Sequence, residues 1–231
     1  MPRILAIETS GKIASVAIAQ GRILLSEHEF PHGLKHAAEI IPAIDLVCKA
    51  HDWKPMDIEH IYVSVGPGSF TGLRIGITLA KTMAMATGAK LVAVPSVQVL
   101  AQNAPDAATN LIIVLDAKRE QIFTARFTKT NSQWNESEPA HLDSLVGMLN
   151  RSARPVHLLG EGIPYHQQHI PAEWADGIHC CEPLLWKARA SEVVKLGLER
   201  AEAGQFILPD QLLPIYIRQA EAEEKWQKMH G

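Results

Sequence analysis

Three strand-like runs precede the first helical pattern, and that order constrains the fold more than any other feature. Residues 4–9 form a short apolar run and residues 14–19 a second, and the small polar turn Ser10-Gly11-Lys12 between them is a hairpin signal. Gly21 turns the chain into a third strand over 22–29, so an antiparallel meander comes first. Within 34–50, Leu34, Ala37, Ile41, Ile44 and Cys48 alternate three- and four-residue spacings, which places them on one face of a helix. Pro42 lies inside that helix, lacks an N–H and crowds the carbonyl of Ala38, so a kink or restart is expected there. Residues 60–65 then read as a buried strand, 70–86 as a second helix and 90–94 as a further strand. The order β-β-β-α-β-α-β suits a sheet that is mostly parallel after its opening meander, reached through helical crossovers.

The polar stretch 102–110 reads as a linker, after which the same grammar returns. It comprises a strand at 111–115, the turn Asp116-Ala117-Lys118-Arg119, an alternating strand at 121–128 and a loop over 131–139. A helix at 142–150, a strand at 156–159 and a helix at 191–203 complete it. With 231 residues the chain exceeds a usual single domain of about 100–200. The expected architecture is α/β: two tandem domains of related topology, 1–103 and 104–231, with the C-terminal segment free to pack back on the first.

Composition narrows the class. Hydrophobic residues make up 47% and charged residues 20%, a globular balance without the signature of disorder. A net charge of -3 and a pI of about 6.4 speak against autonomous nucleic-acid binding, which needs clustered Lys and Arg. The start leads straight into a strand without a signal peptide's apolar core, and no run reaches membrane-spanning length, so the reading is cytoplasmic, with no membrane contact. Cys48, Cys180 and Cys181 cannot all pair and form no CxxC, which makes free thiols the expectation. The mixed charges of 221–228 read as a solvated helix face.

The least ordinary stretch is Gly66-Pro67-Gly68-Ser69-Phe70-Thr71-Gly72-Leu73-Arg74, between a strand and a helix. Its glycines could leave N–H groups free to hold an anion, or Ser69 could simply cap a tight helix start. A P-loop is excluded, because three residues separate Gly68 from Gly72 and Leu73 stands where lysine is required. A dinucleotide fingerprint would need glycine at Thr71. Glu8, Thr9 and Ser10 flank the first hairpin turn, and with Gly66 and Gly68 they are candidates for an anion or nucleotide contact. Along the following helix, Gly72, Gly76, Ala80, Ala84 and Gly88 recur every four residues, flanked by Leu73, Ile77 and Met83. Such a stripe admits a partner helix or the protein's own sheet, and something must offset the cost of about 1 kcal/mol for each mid-helix glycine. His32 and His36 lack the HExxH context of a zinc site, and no GxSxG elbow occurs, so neither metal binding nor hydrolysis has visible machinery.

The strings ILAIETSGKIASVAIA, VSVGPGSFTGLRIGITLAKTMAMATGAKLVAVPS, VLDAKREQIF and LPIYIR resemble, in this order, the bacterial TsaB (YeaZ) family. The resemblance implies an actin-like fold of the sugar kinase and Hsp70 type, with mixed sheets flanked by helices. It implies a role in making threonylcarbamoyladenosine beside the anticodon of tRNAs. It further implies a non-catalytic subunit without cofactor, partnering the catalytic paralogue TsaD and the ATPase TsaE and meeting tRNA only through the complex; a homodimer in isolation that uses the same stripe is a separate alternative. Docking would use the helix after the GPGSFTGLR turn, with Phe70, Gly72, Leu73, Gly76, Ile77, Ala80, Met83 and Ala84 as contacts. TsaD relatives carry a metal-binding His-x-x-x-His at the register where this chain has Ser96 and Leu100, which cannot replace two imidazoles. The family usually has His-Ser before Leu-Leu-Pro, where this chain reads His36-Ala37-Ala38-Glu39-Ile40-Ile41-Pro42. The rival expectation is an active nucleotide hydrolase or glycoprotease-like enzyme of the same fold.

Overall fold

A computed structural model describes residues 1–31, 36–174 and 176–218 of the chain. The opening meander is β1 (Arg3–Glu8), β2 (Ile13–Gln20) and β3 (Ile23–Pro31). There follow α1 (His36–Lys49), β4 (His60–Ser64), α2 (Phe70–Thr87) and β5 (Lys90–Val94). The first sheet has the order β3-β2-β1-β4-β5, antiparallel across the meander and parallel from β1 to β5. Both faces of β1 are covered, which explains its nearly unbroken apolar run. Leu5 and Ile7 join the core beneath α1 and α2, while Ile4 and Ala6 join the core on the opposite face.

After α3 (Ser96–Ala101) come β6 (Asn110–Ile113), β7 (Leu115–Asp116), β8 (Ile122–Thr130) and β9 (Gln133–Asp143). Then follow α4 (Leu145–Asn150), β10 (Val156–Leu159), α5 (Ile163–His166), β11 (Ile178–Cys180) and α6 (Ala190–Glu202). Leaving aside β7, which pairs β8, this sheet reads β9-β8-β6-β10-β11. Its strand directions repeat those of the first sheet, antiparallel over β9-β8-β6 and parallel over β6-β10-β11. A helix follows the third and fourth main strands in each half. The molecule is thus α/β, with two mixed sheets flanked by helices, as expected.

The helix after the last strand of each half crosses to the other half. α3 buries Val97, Leu100 and Ala101 with Leu111, Phe127 and Leu159 of the second sheet. α6 buries Val193, Val194 and Leu198 with Ile4, Tyr62 and Val92 of the first. Gly197 permits that approach, because a Cβ there would overlap the Tyr62 ring. A division at 103/104 therefore separates two helices from the sheets that they cover. Beyond α6 the chain returns along the first sheet: Ile207 bridges Leu91, Leu212 is fully buried, and the Ile215 amide donates to the Val65 carbonyl at 2.7 Å.

Other differences are local. The inward face of α1 is Ile40, Ala43, Ile44, Val47 and Cys48, while Ile41 is 60% exposed. Adjacent apolar pairs at 40/41, 43/44 and 47/48 leave the pattern ambiguous by one position, and packing selects the face. One helix continues through Pro42. The expected loop at 131–139 is mostly β9, entered through Asn131 and Ser132 at positive φ. α4 starts later than expected because Ser144 caps it, accepting from the Gly147 amide at 3.0 Å. His32, Leu34 and the charged run at 221–228 lie outside the described residues.

Candidate docking face and interdomain cleft

The glycine-rich turn between β4 and α2 rests on the β1–β2 turn. The Ser69 amide donates to the Ser10 carbonyl at 2.7 Å, and a Cβ at Gly68 would overlap that same oxygen. Ser69 caps α2 by accepting from the Gly72 amide at 3.3 Å. Ser96 pins the other end of the turn: its Oγ accepts from the Gly66 amide and its own amide donates to the Gly66 carbonyl, both at 2.9 Å. Ser96 is thus a buried clasp for the glycine turn.

The small-residue stripe of α2 faces inward. Gly72, Leu73, Gly76, Ile77, Ala80 and Ala84 are all buried, and a Cβ at Gly72 or Gly76 would overlap Thr9. Gly88 lies outside the helix as its left-handed C-cap, with φ 77°. The expectation that these residues meet a partner is therefore corrected: their own sheet occupies the stripe, and the absent side chains let α2 reach β1. Of the expected docking residues only Phe70 and Met83 are partly accessible. The outward side of α2 presents Thr71, Arg74, Thr78, Thr82 and Met85, and Met85 is 76% exposed. Beside it, α1 exposes Ile41 and Leu46.

Phe70 is covered by the C-terminal strap. The Tyr216 ring stacks on it at 4.5 Å, the Arg74 guanidinium lies 3.9 Å from its centroid, and Arg74 Nε donates to the Tyr216 hydroxyl at 3.0 Å. The strap then reaches the second half, where Arg218 donates to the Ala117 carbonyl and to Gln121 Oε1. Sequence reasoning passed over Arg74 and Tyr216, since nothing in their local pattern joins positions 142 residues apart.

The hairpin turn also faces a turn of the second half across a cleft. Ser10, Gly11, Lys12, Gly68 and Ser69 line one side of a cavity of about 230 Å³, and Leu115, Asp116, Phe123 and Glu161 the other. The Lys12 amide donates to Glu161 Oε2 and Lys12 Nζ to the Tyr165 hydroxyl, each at 3.3 Å. Of the five residues expected at an anion site, Ser10 and Gly68 line this cavity, whereas Glu8, Thr9 and Gly66 are buried away from it. Glu8 turns back on its own hairpin, accepting from the Ser10 amide and hydroxyl at 2.6 Å each. Burial pushes its carboxyl above the ordinary value, against the lowering effect of those bonds. Burial likewise raises Glu161. Burial would also raise Asp116, but hydrogen bonds from the Lys118 amide and Nζ and from His166 together hold it below its ordinary value. Each carboxylate beside the cleft thus spends at least one oxygen on the protein itself.

The family model described as TsaD, tRNA N6-adenosine threonylcarbamoyltransferase, matches residues 33–226. The chain is 32% identical to the tRNA threonylcarbamoyladenosine biosynthesis protein TsaB of Bacillus subtilis, over 96% of this chain and 97% of that protein. It is 25% identical to the protein of the same name from Escherichia coli, over 99% of both. Among solved structures it is similar to YeaZ from Pseudomonas aeruginosa, with a TM-score of 0.79 at 22% identity, covering 94% of this chain and 100% of that one. That last likeness concerns fold.

Proposed function

The chain belongs to the TsaD family, within its TsaB group, and from that premise we propose that it serves tRNA threonylcarbamoyladenosine biosynthesis as a non-catalytic cytoplasmic subunit. In this reading it binds and supports the catalytic paralogue TsaD together with the ATPase TsaE, meets tRNA only inside that complex, and pairs with itself when alone. The observation that carries the reading is the outward side of α1 and α2, where Ile41, Leu46 and Met85 stand exposed on adjacent helices. Three large apolar side chains left exposed on two touching helices offer surface for a protein contact. The acidic balance of the chain agrees with it, since a net charge of -3 provides little to hold a polyanion unaided.

The docking residues differ from those of the stripe. Gly72, Gly76, Ala80 and Ala84 position the helix from beneath, and the contact falls to Phe70, Arg74, Met83 and Met85 on or beside its open side. Among the described residues no helix is long and apolar enough to cross a membrane. The test is copurification of the full chain with the TsaD-type protein of the same organism, with Met85→Asp and Ile41→Asp as variants. Both should fold normally and lose the complex. Undiminished copurification of the double variant, or ATP hydrolysis by the chain alone that Glu8→Ala abolishes, would refute the reading.

A further inference from the structure

Arg74 is the most tightly organised exposed cation on the open side of α2. Its guanidinium lies 3.9 Å from the Phe70 centroid, and Phe70 is in turn stacked on Tyr216 with 25° between the ring planes. Phe70 and Arg74 are four residues apart, one turn of α2, so the helix itself sets them side by side. Tyr216 comes from the strap, which the buried Leu212 and the bond from the Ile215 amide to the Val65 carbonyl hold in place. The Tyr216 hydroxyl takes the Nε–H at 3.0 Å. A guanidinium carries five N–H donors in a rigid plane, and this contact leaves those of the two terminal nitrogens without a partner among the described residues. Leu213 and Ile215 add apolar surface on the same strap and are 65% and 39% exposed.

We propose that Arg74, fixed by Phe70 and Tyr216, is a preorganised receptor for a carboxylate side chain of the docking partner, taken two-pronged by its terminal nitrogens. The inference rests on the docking function proposed above and names the polar contact at its centre. A planar fork matches a carboxylate in two parallel hydrogen bonds, and an apolar surround that excludes water strengthens them. Arg and Tyr are also the residue types that dominate binding energy at such centres. A phosphate of nucleic acid is the poorer fit, because tracking that backbone calls for several clustered cations, whereas Arg74 has the Phe70 and Tyr216 rings against it and the neutral Thr71 and Thr78 beside it on the helix. Phe70 and Tyr216 are positioning residues in this scheme: they hold the plane and do not touch the carboxylate.

The test is calorimetric titration of the full chain with the purified TsaD-type protein, using wild type, R74M, R74K and Y216F. Loss of one partner from a desolvated charge pair costs enough to weaken binding by about 30-fold or more, the effect expected of R74M. R74K keeps the charge but not the planar fork, so it should recover only part of that loss. Y216F should weaken binding of wild type but not of R74M, because it acts only through Arg74. Denaturant midpoints for R74M and R74K should match wild type, since Arg74 is exposed. Affinity of R74M within twofold of wild type, full rescue by R74K, or competition by inorganic phosphate at constant ionic strength would each overturn the carboxylate assignment. Absence of wild-type binding would instead remove the docking function itself, and this inference with it.

Discussion

Gly72 sits against the carbonyl oxygen of Thr9 so closely that even a methyl group would overlap it. Gly76, one turn further along α2, meets the Thr9 side-chain hydroxyl instead. A backbone carbonyl cannot turn aside without moving β1, whereas a hydroxyl can. Gly72→Ala should therefore destabilise the chain by about 1–3 kcal/mol, the usual range for overpacking, and Gly76→Ala by less. Urea denaturation checks this, and equal stability of Gly72→Ala and wild type would remove the inward role of the stripe.

Glu8 provides a pH signature. Burial holds its carboxyl above the ordinary 4.5, so the folded chain keeps that proton to higher pH than the unfolded chain. The group's contribution is fully present below the unfolded value and is lost as pH rises through the folded one. Glu8→Gln removes the ionisation and retains an acceptor for Ser10. The stability of the variant relative to wild type should therefore climb from about pH 4.5 upward. A difference that stays flat across that range would contradict the buried, proton-retaining carboxyl.

Leu212 anchors the strap. It is fully buried in the core under α1 and α2, and truncating such a residue costs about 2–5 kcal/mol. Leu212→Ala should lower the urea midpoint accordingly and also free the Ile215 amide to exchange hydrogen, since its bond to Val65 depends on the strap's path. Unchanged protection at Ile215 would show that the strap is held by other means.

Gly197 reports on the exchange of helices between the halves. Its neighbour across the interface is the Tyr62 ring, and Tyr62 is itself fully buried. Gly197→Ala should cost about 1–3 kcal/mol by overpacking, and hydrogen exchange should place the weakening in β1, β4 and β5. Loss of protection confined to β6, β8 and β10 would contradict α6 as the cover of the first sheet.

The element order was legible because it rests on local pattern: the meander, the two crossover helices and the Ser69 cap each have a signal within a few residues. The choice between two meanings of the α2 stripe was not. Small residues every four positions say that something approaches closely, and only the position of Thr9 says what. The exchange of α3 and α6 was equally hidden, since Val97 and Leu198 are apolar wherever they pack. Ile41 shows the finest limit: it and Ile40 compete for one inward position, and a rotation of one residue decides between them. The Arg74–Tyr216 bond joins residues that only the return of the strap brings together.

The most direct test of a supporting, non-catalytic role is reconstitution of tRNA modification from purified components, with threonylcarbamoyladenosine read by mass spectrometry of digested tRNA. TsaD- and TsaE-type proteins of the same organism, supplied with a threonylcarbamoyl donor, ATP and tRNA, should form the modified nucleoside only when this chain is added. The chain alone should form none. Full modification in its absence, or modification by the chain without the TsaD-type protein, would contradict the account.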